Sequence, residues 1–147
     1  LLVTNADNSK TSSIQVKFSK DFLVTHGRPT HQSKLVSCGW WTLNRQKLAT
    51  SVADFWVFVL HSFNQKNMQY VIITPQELYR RLDALRSRTE VIQTYLWVTT
   101  TNRCWETRGL NKQQQDAIVD DDIQKIDKVR NLTQYLNNWN PVKEKLT

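Results

Sequence analysis

Glycine, proline and cysteine are scarce in this chain, with three, three and two copies in 147 residues. Three scattered glycines form no glycine-rich phosphate loop. No Ser-centred elbow or His-x-x-x-His pair is present either. Nucleotide hydrolysis, triad chemistry and zinc hydrolysis therefore have no support. Cys38 and Cys104 stand alone, away from metal-ligand spacing, so reduced thiols are expected rather than a disulfide or a zinc site. Long apolar runs are missing too: the longest are Phe55 to Leu60 and Tyr70 to Ile73, far short of the roughly 20 residues a membrane helix needs. There is no basic-then-apolar leader with a small-residue cleavage site. These absences predict a soluble, cytoplasmic protein with no membrane partner.

Acidic residues are thin in the first half, and no Glu occurs before Glu77. Residues 1–73 hold eight Lys and Arg against three Asp, and the chain carries a net charge of +7. A basic amino-terminal half suits a polyanion, nucleic acid first, although charge of this size also serves solubility. The composition, 39% hydrophobic and 22% charged, is that of one globular domain over residues 1–147.

Leu1 to Thr4 reads as a strand and Asn5 to Ser9 as a turn. Thr11 to Ser19 reads as the return arm, with Ile14, Val16 and Phe18, expected to anchor it in a core, alternating against Gln15, Lys17 and Ser19. Lys20 to Gly39 has no steady period and reads as a long loop. Asn44 caps a short helix over Arg45 to Val52. Asp54 to Ser62 and Gln69 to Ile73 are strands around a turn. Thr74-Pro75-Gln76-Glu77 combines a cap, an N1 proline and a capping-box glutamate, predicting a helix from Pro75 to about Arg88 on Leu78, Leu82 and Leu85. Val91 to Thr99 is a further strand. Thr100 to Gln115 reads as loop, Asp116 to about Arg130 as helix, and Leu132 to Trp139 as a short apolar helix stopped by Pro141.

The chemistry-bearing candidate is Gln15-Val16-Lys17. Side chains two apart on a strand sit roughly 6.6 Å from each other on one face. An amide oxygen there can hold a hard metal ion, and the neighbouring ammonium can orient water or offset phosphate charge. A solvated strand face accounts for the same alternation at least as readily. Lys20, Arg28 and Lys34, with His26 and His31, sit in the long loop and are candidates for backbone phosphate contacts; the histidines read as exposed loop residues. Arg80, Arg81, Arg86 and Arg88 read as the solvated face of their helix, with a phosphate-contacting face as the alternative. Trp56 and Trp97 read as core. Trp40-Trp41 reads as a plug over the sheet, with base stacking as the alternative.

In order, these parts are the Gln-Val-Lys return strand, a basic loop into Gly-Trp-Trp-Thr-Leu, Ala-Asp-Phe-Trp-Val-Phe-Val-Leu, and Tyr-Val-Ile-Ile-Thr-Pro before a helix. The succession resembles the PD-(D/E)XK nuclease-like superfamily, and within it a small bacterial branch whose second signature acid is glutamine. The likeness runs from Leu1 to about Asn140. It implies an α+β fold, a mixed sheet flanked by helices with a restriction-endonuclease-like core. It also implies DNA, double-stranded first, as substrate and phosphodiester hydrolysis with one or two Mg²⁺ (or Mn²⁺) ions; the charge argument leaves RNA as an alternative. A homodimer is a further expectation, since many such enzymes pair to cut both strands. Gln15 and the Val16 carbonyl would face the metal, and Lys17 would act as the catalytic lysine. The family's first acid has no match and belongs just upstream of Leu1, so the residues read as a segment lacking its amino-terminal helix, first strand and first acid. Asp21, Asp54 and Glu77 stand as substitutes. The competing reading is a catalytically silent binder of nucleic acid or protein.

Overall fold

Residues 55–60 are apolar without a break, and such a run suits a strand covered on both faces. The computed structural model, which describes residues 1–23, 28–63, 65–85 and 88–147, bears this out. Strand β1 (Leu2–Thr4) pairs antiparallel with β2 (Thr11–Ser19), which runs parallel to β4 (Phe55–Ser62). Strand β5 (Asn67–Ile73) closes this four-stranded sheet antiparallel to β4, giving the order β1-β2-β4-β5. A second, three-stranded antiparallel sheet has β3 (Leu35–Asn44), β6 (Val91–Thr99) and β7 (Cys104–Glu106) in that order. Helices α1 (Pro29–Gln32), α2 (Arg45–Ala49), α3 (Pro75–Leu85), α4 (Lys112–Val119) and α5 (Asn140–Leu146) complete an α+β fold. No helix among the described residues is long and apolar enough to cross a membrane.

The main core lies between the sheets. Trp56, Phe58 and Leu60 of β4 meet Trp41 and Leu43 of β3, Ile92 and Leu96 of β6, and Leu78 and Leu82 of α3. The opposite face of β4, with Phe55, Val57 and Val59, packs with Ile14 and with Val142 of α5. The outer face of the second sheet puts Cys38, Trp97 and Trp105 against Ala117 and Ile118 of α4. Trp56 and Trp97 are thus core residues, as expected. Gly39 is required where it stands, since a Cβ there would come within 2.4 Å of the Trp41 ring. Both cysteines are buried free thiols, and burial raises their pKa.

Several expectations are corrected. The stretch expected as loop from Lys20 to Gly39 contains α1 and the first half of β3, because β3 draws its partner from distant β6 rather than from a neighbour in sequence. Helix α4 begins earlier, at Lys112, where Asn111 and Gln114 make a reciprocal capping box, and it ends at Val119 before two 3₁₀ turns. Thr133–Tyr135 is a single 3₁₀ turn, and Pro141 opens α5 instead of stopping a helix. Proline's fixed φ and missing N–H suit that first turn. Val16 and Phe18 do not anchor β2; they are 44% and 61% exposed, since α5 reaches only the Ile14 end of that face. His31 is buried, its Nε2 2.7 Å from Asp116 and its ring edge-on to Trp97. Arg81 is buried as well, donating to Glu77 and to the carbonyls of Val129 and Asn131. His26 and Arg86 lie outside the described residues.

Candidate nucleic-acid interface

Gln15 and Lys17 share a face of β2 by the two-residue repeat of a strand. In the parallel ladder Gln15 stands opposite Trp56 and Lys17 opposite Phe58. The Lys17 ammonium sits 4.9 Å from the Trp56 ring centroid, so it leans along the strand toward the Gln15 position. The Trp56 ring is itself fixed, its Nε1 donating to Ser51 Oγ at 2.9 Å. Among the described residues no carboxylate pairs with Lys17. The half-buried amine is therefore positioned by an aromatic ring and left available to an outside anion.

Beside Gln15 lies a shallow depression of about 430 Å³, bounded by Leu2, Ser13, Val52 and Lys47. Lys47 was not foreseen. Its helix was, through the Asn44 cap, whose side chain accepts from the Lys47 backbone N–H, but nothing in the sequence says that α2 borders β2.

The edge of β2 matters as much as its face. Ile14 exchanges both backbone hydrogen bonds with Leu1, at 2.7 and 3.0 Å, while the Ser13 carbonyl turns the other way and accepts from Asp54 N–H. By the same alternation the Val16 N–H and carbonyl face the β1 side, past the point where Leu1 ends the pairing. No strand among the described residues covers that side of Gln15 to Ser19. The β1–β2 register matches Leu2 with Ser13, so a residue preceding Leu1 and continuing the strand would lie directly across from Gln15, on its face.

The three substitute acids are all committed elsewhere. Asp21 is buried and accepts from the backbone N–H groups of Leu23, Cys38 and Phe63. Asp54 receives the Lys145 ammonium and the Ser13 N–H and hydroxyl, and the Lys145 contact does most to hold its carboxyl below the usual range. Glu77 binds Arg80, Arg81 and the Tyr135 hydroxyl. Its carboxyl falls from 4.5 to about 2, chiefly through Arg80. Folding thus favours the ionised form, and the stability it supplies is full above about 4.5 and lost as pH falls toward 2. Glu77→Gln should therefore lower the unfolding temperature at about pH 6 and narrow its gap from the value at about pH 3. An unchanged gap in a pH series of thermal melts would show that Glu77 carries none of the acid sensitivity.

Of the loop cations, Arg28 pairs with Asp116 of α4 at 2.9 Å and Lys34 with Asp120, the residue that caps the end of α4. Lys20 lies 5.0 Å above the Phe22 ring. The basic loop is thus partly neutralised by α4, and Lys20 is the one of the three without an acid partner among the described residues. No group of three or more His, Cys, Asp or Glu side chains gathers among the described residues. Gln15 and the Val16 carbonyl are neutral donors, and Mg²⁺ usually relies on one or two carboxylates, so these residues by themselves do not make a fitting Mg²⁺ site. No protein-family model matches the chain, and no curated protein or solved structure matches it significantly.

Proposed function

We propose that this chain is a nuclease-like domain that binds DNA and hydrolyses its phosphodiester bonds once a carboxylate stands across from Gln15. The observation that carries the reading is the Lys17 ammonium, held over Trp56 with no acid partner among the described residues and sharing a face with Gln15 of strand β2. The β1–β2 register sets the position preceding Leu1 opposite Gln15, one pleat from the available ammonium of Lys17. In this reading Lys17 offsets charge on the reacting phosphate, Gln15 orients it, and Lys20 and Lys47 hold the neighbouring backbone. The divalent ion, Mg²⁺ or Mn²⁺, would supply Lewis acidity and needs that added carboxylate for its seat.

The test is a polypeptide that continues upstream of Leu1 with an aspartate next to it, compared with one carrying alanine there. Mg²⁺-dependent nicking of a plasmid by the first and not by the second is the expected result. If the aspartate form binds DNA and never nicks it, the catalytic reading fails. The second reading, a binding module, then takes its place; it is favoured by the engagement of Asp21, Asp54 and Glu77 in structural contacts.

A further inference from the structure

On the outer face of the second sheet, where α4 stops covering it, lies a cleft of about 360 Å³. Its walls are the rings of Phe22, Trp40, Tyr95 and Trp97, with Thr107 and Gln115 at one side. Cys38 and Trp97 are matched in the β3–β6 ladder, as are Trp40 and Tyr95, so paired strands form the base of the cleft, while Phe22, Thr107 and Gly109 come from connecting segments. Trp40 meets Phe22 and Tyr95 edge-on, at 5.8 and 5.9 Å between centroids, and keeps 41% of its surface exposed. Its backbone N–H donates to Ser19 Oγ at 3.0 Å. The cleft is thereby tied to the end of β2, two residues beyond Lys17. Trp40 and Trp41 consequently part company: Trp41 is the expected plug in the core, and Trp40 is not.

We infer that this cleft seats one unpaired base of a single-stranded nucleic acid, with Lys20 and Arg108 at its rim meeting the flanking phosphates. The inference rests on the reading of the chain as a nucleic-acid binder, and not on catalysis. Two observations select the occupant. The Lys20 ammonium and the Arg108 guanidinium lie 5.0 and 5.5 Å over the Phe22 and Tyr95 rings. Cations already in place over these rings disfavour a cationic ligand and suit a neutral planar ring with anionic flanks. Size is the second. The cleft falls at the low end of small-ligand pockets, roughly 300–1,000 Å³, enough for a base and too narrow for a duplex. The Gln115 amide donates one N–H to the Leu110 carbonyl, which orients the group, and its Oε1 can accept from a base edge. A base seated here would have left its stack, as in enzymes that work on frayed or unpaired ends.

The experiment measures fluorescence anisotropy of a labelled oligothymidylate, an oligouridylate of the same length, an abasic strand of the same length, and thymidine monophosphate. The full chain should bind a base-bearing strand roughly tenfold more tightly than the abasic strand. Trp40→Ala should erase that preference, and Trp40→Phe should keep most of it; thermal melts of both variants report folding. Equal binding of base-bearing and abasic strands by the unaltered protein would overturn the inference. So would full preference in a folded Trp40→Ala, or monophosphate binding as tight as the strand. The DNA and RNA arms separate the two sources of the base. An aspartate-bearing form that prefers bases and never nicks keeps the cleft and loses the nuclease reading, and one that nicks without preference does the reverse.

Discussion

In the form bearing an aspartate ahead of Leu1, Lys17→Ala lowers Mg²⁺-dependent plasmid nicking about a hundredfold, the scale seen when one preorganised charge-stabilising donor is removed. DNA affinity should barely change, because it is distributed over the net charge of +7 and over cations such as Lys20 and Lys47. The size of the expected loss follows from where the amine sits. Lys17 is half-buried, held over Trp56, and pairs with no acid among the described residues. Its charge is thus presented to an incoming phosphate without first breaking an ion pair. A surface lysine lost from β2 would give a different result: weaker binding at every salt concentration and no separate loss of turnover. Nicking by Lys17→Ala at the unaltered rate, with a thermal melt that shows it folded, would remove Lys17 from the chemistry.

Arg130→Ala should destabilise the fold by about 3–5 kcal/mol, the range for stripping one partner from a buried ion pair. Glu106 is 1% exposed at the end of β7 and receives Arg130 Nη1 at 2.9 Å. The same carboxylate accepts from the Thr94 hydroxyl and from the backbone N–H groups of Tyr95 and Arg108. Arg130 also donates to the Glu106 and Arg108 carbonyls, so it ties the turn after α4 to the edge of the second sheet. Removing it leaves a buried carboxylate without this cation. Adding Glu106→Gln should recover part of the loss, since a neutral amide costs less to bury. Urea denaturation of the two single variants and the double variant would measure the coupling, and additive losses would show that the pair does not act as a unit.

The two cations beside Phe22 and Tyr95 and the two spent on α4 illustrate how differently similar residues are used. Lys20, Arg28 and Lys34 are alike in sequence, all basic and all in one stretch. Arg28 and Lys34 are claimed by Asp116 and Asp120 because α1 docks beside α4, a pairing between segments more than 80 residues apart. Charge counting cannot foresee it. The burial of His31 escapes the sequence for the same reason: a polar side chain in an aperiodic stretch gives no sign that Trp97 and Asp116 will enclose it.

Local rules carried the reading wherever a segment's fate is set by its own residues. The alternation over Thr11 to Ser19 gave β2 its bounds and set Gln15 and Lys17 on one face, because a strand's period is two regardless of its partners. Thr74 and Pro75 gave the start of α3 because the Thr74 hydroxyl takes the Glu77 N–H within one turn; the expected capping-box carboxylate of Glu77 binds Arg80 and Arg81 instead. The unbroken apolar run gave β4. What the chain could not disclose by itself was which surfaces end up together. Only the packed structure set Trp56 under Lys17, withdrew Asp21, Asp54 and Glu77 into structural roles, left Val16 and Phe18 exposed, and divided Trp40 from Trp41. Apart from the Arg80 and Arg81 pairs of Glu77, which lie within α3, these depend on contacts between elements far apart in sequence. Such contacts are fixed by the burial of two sheets against each other and not by the preferences of any one segment.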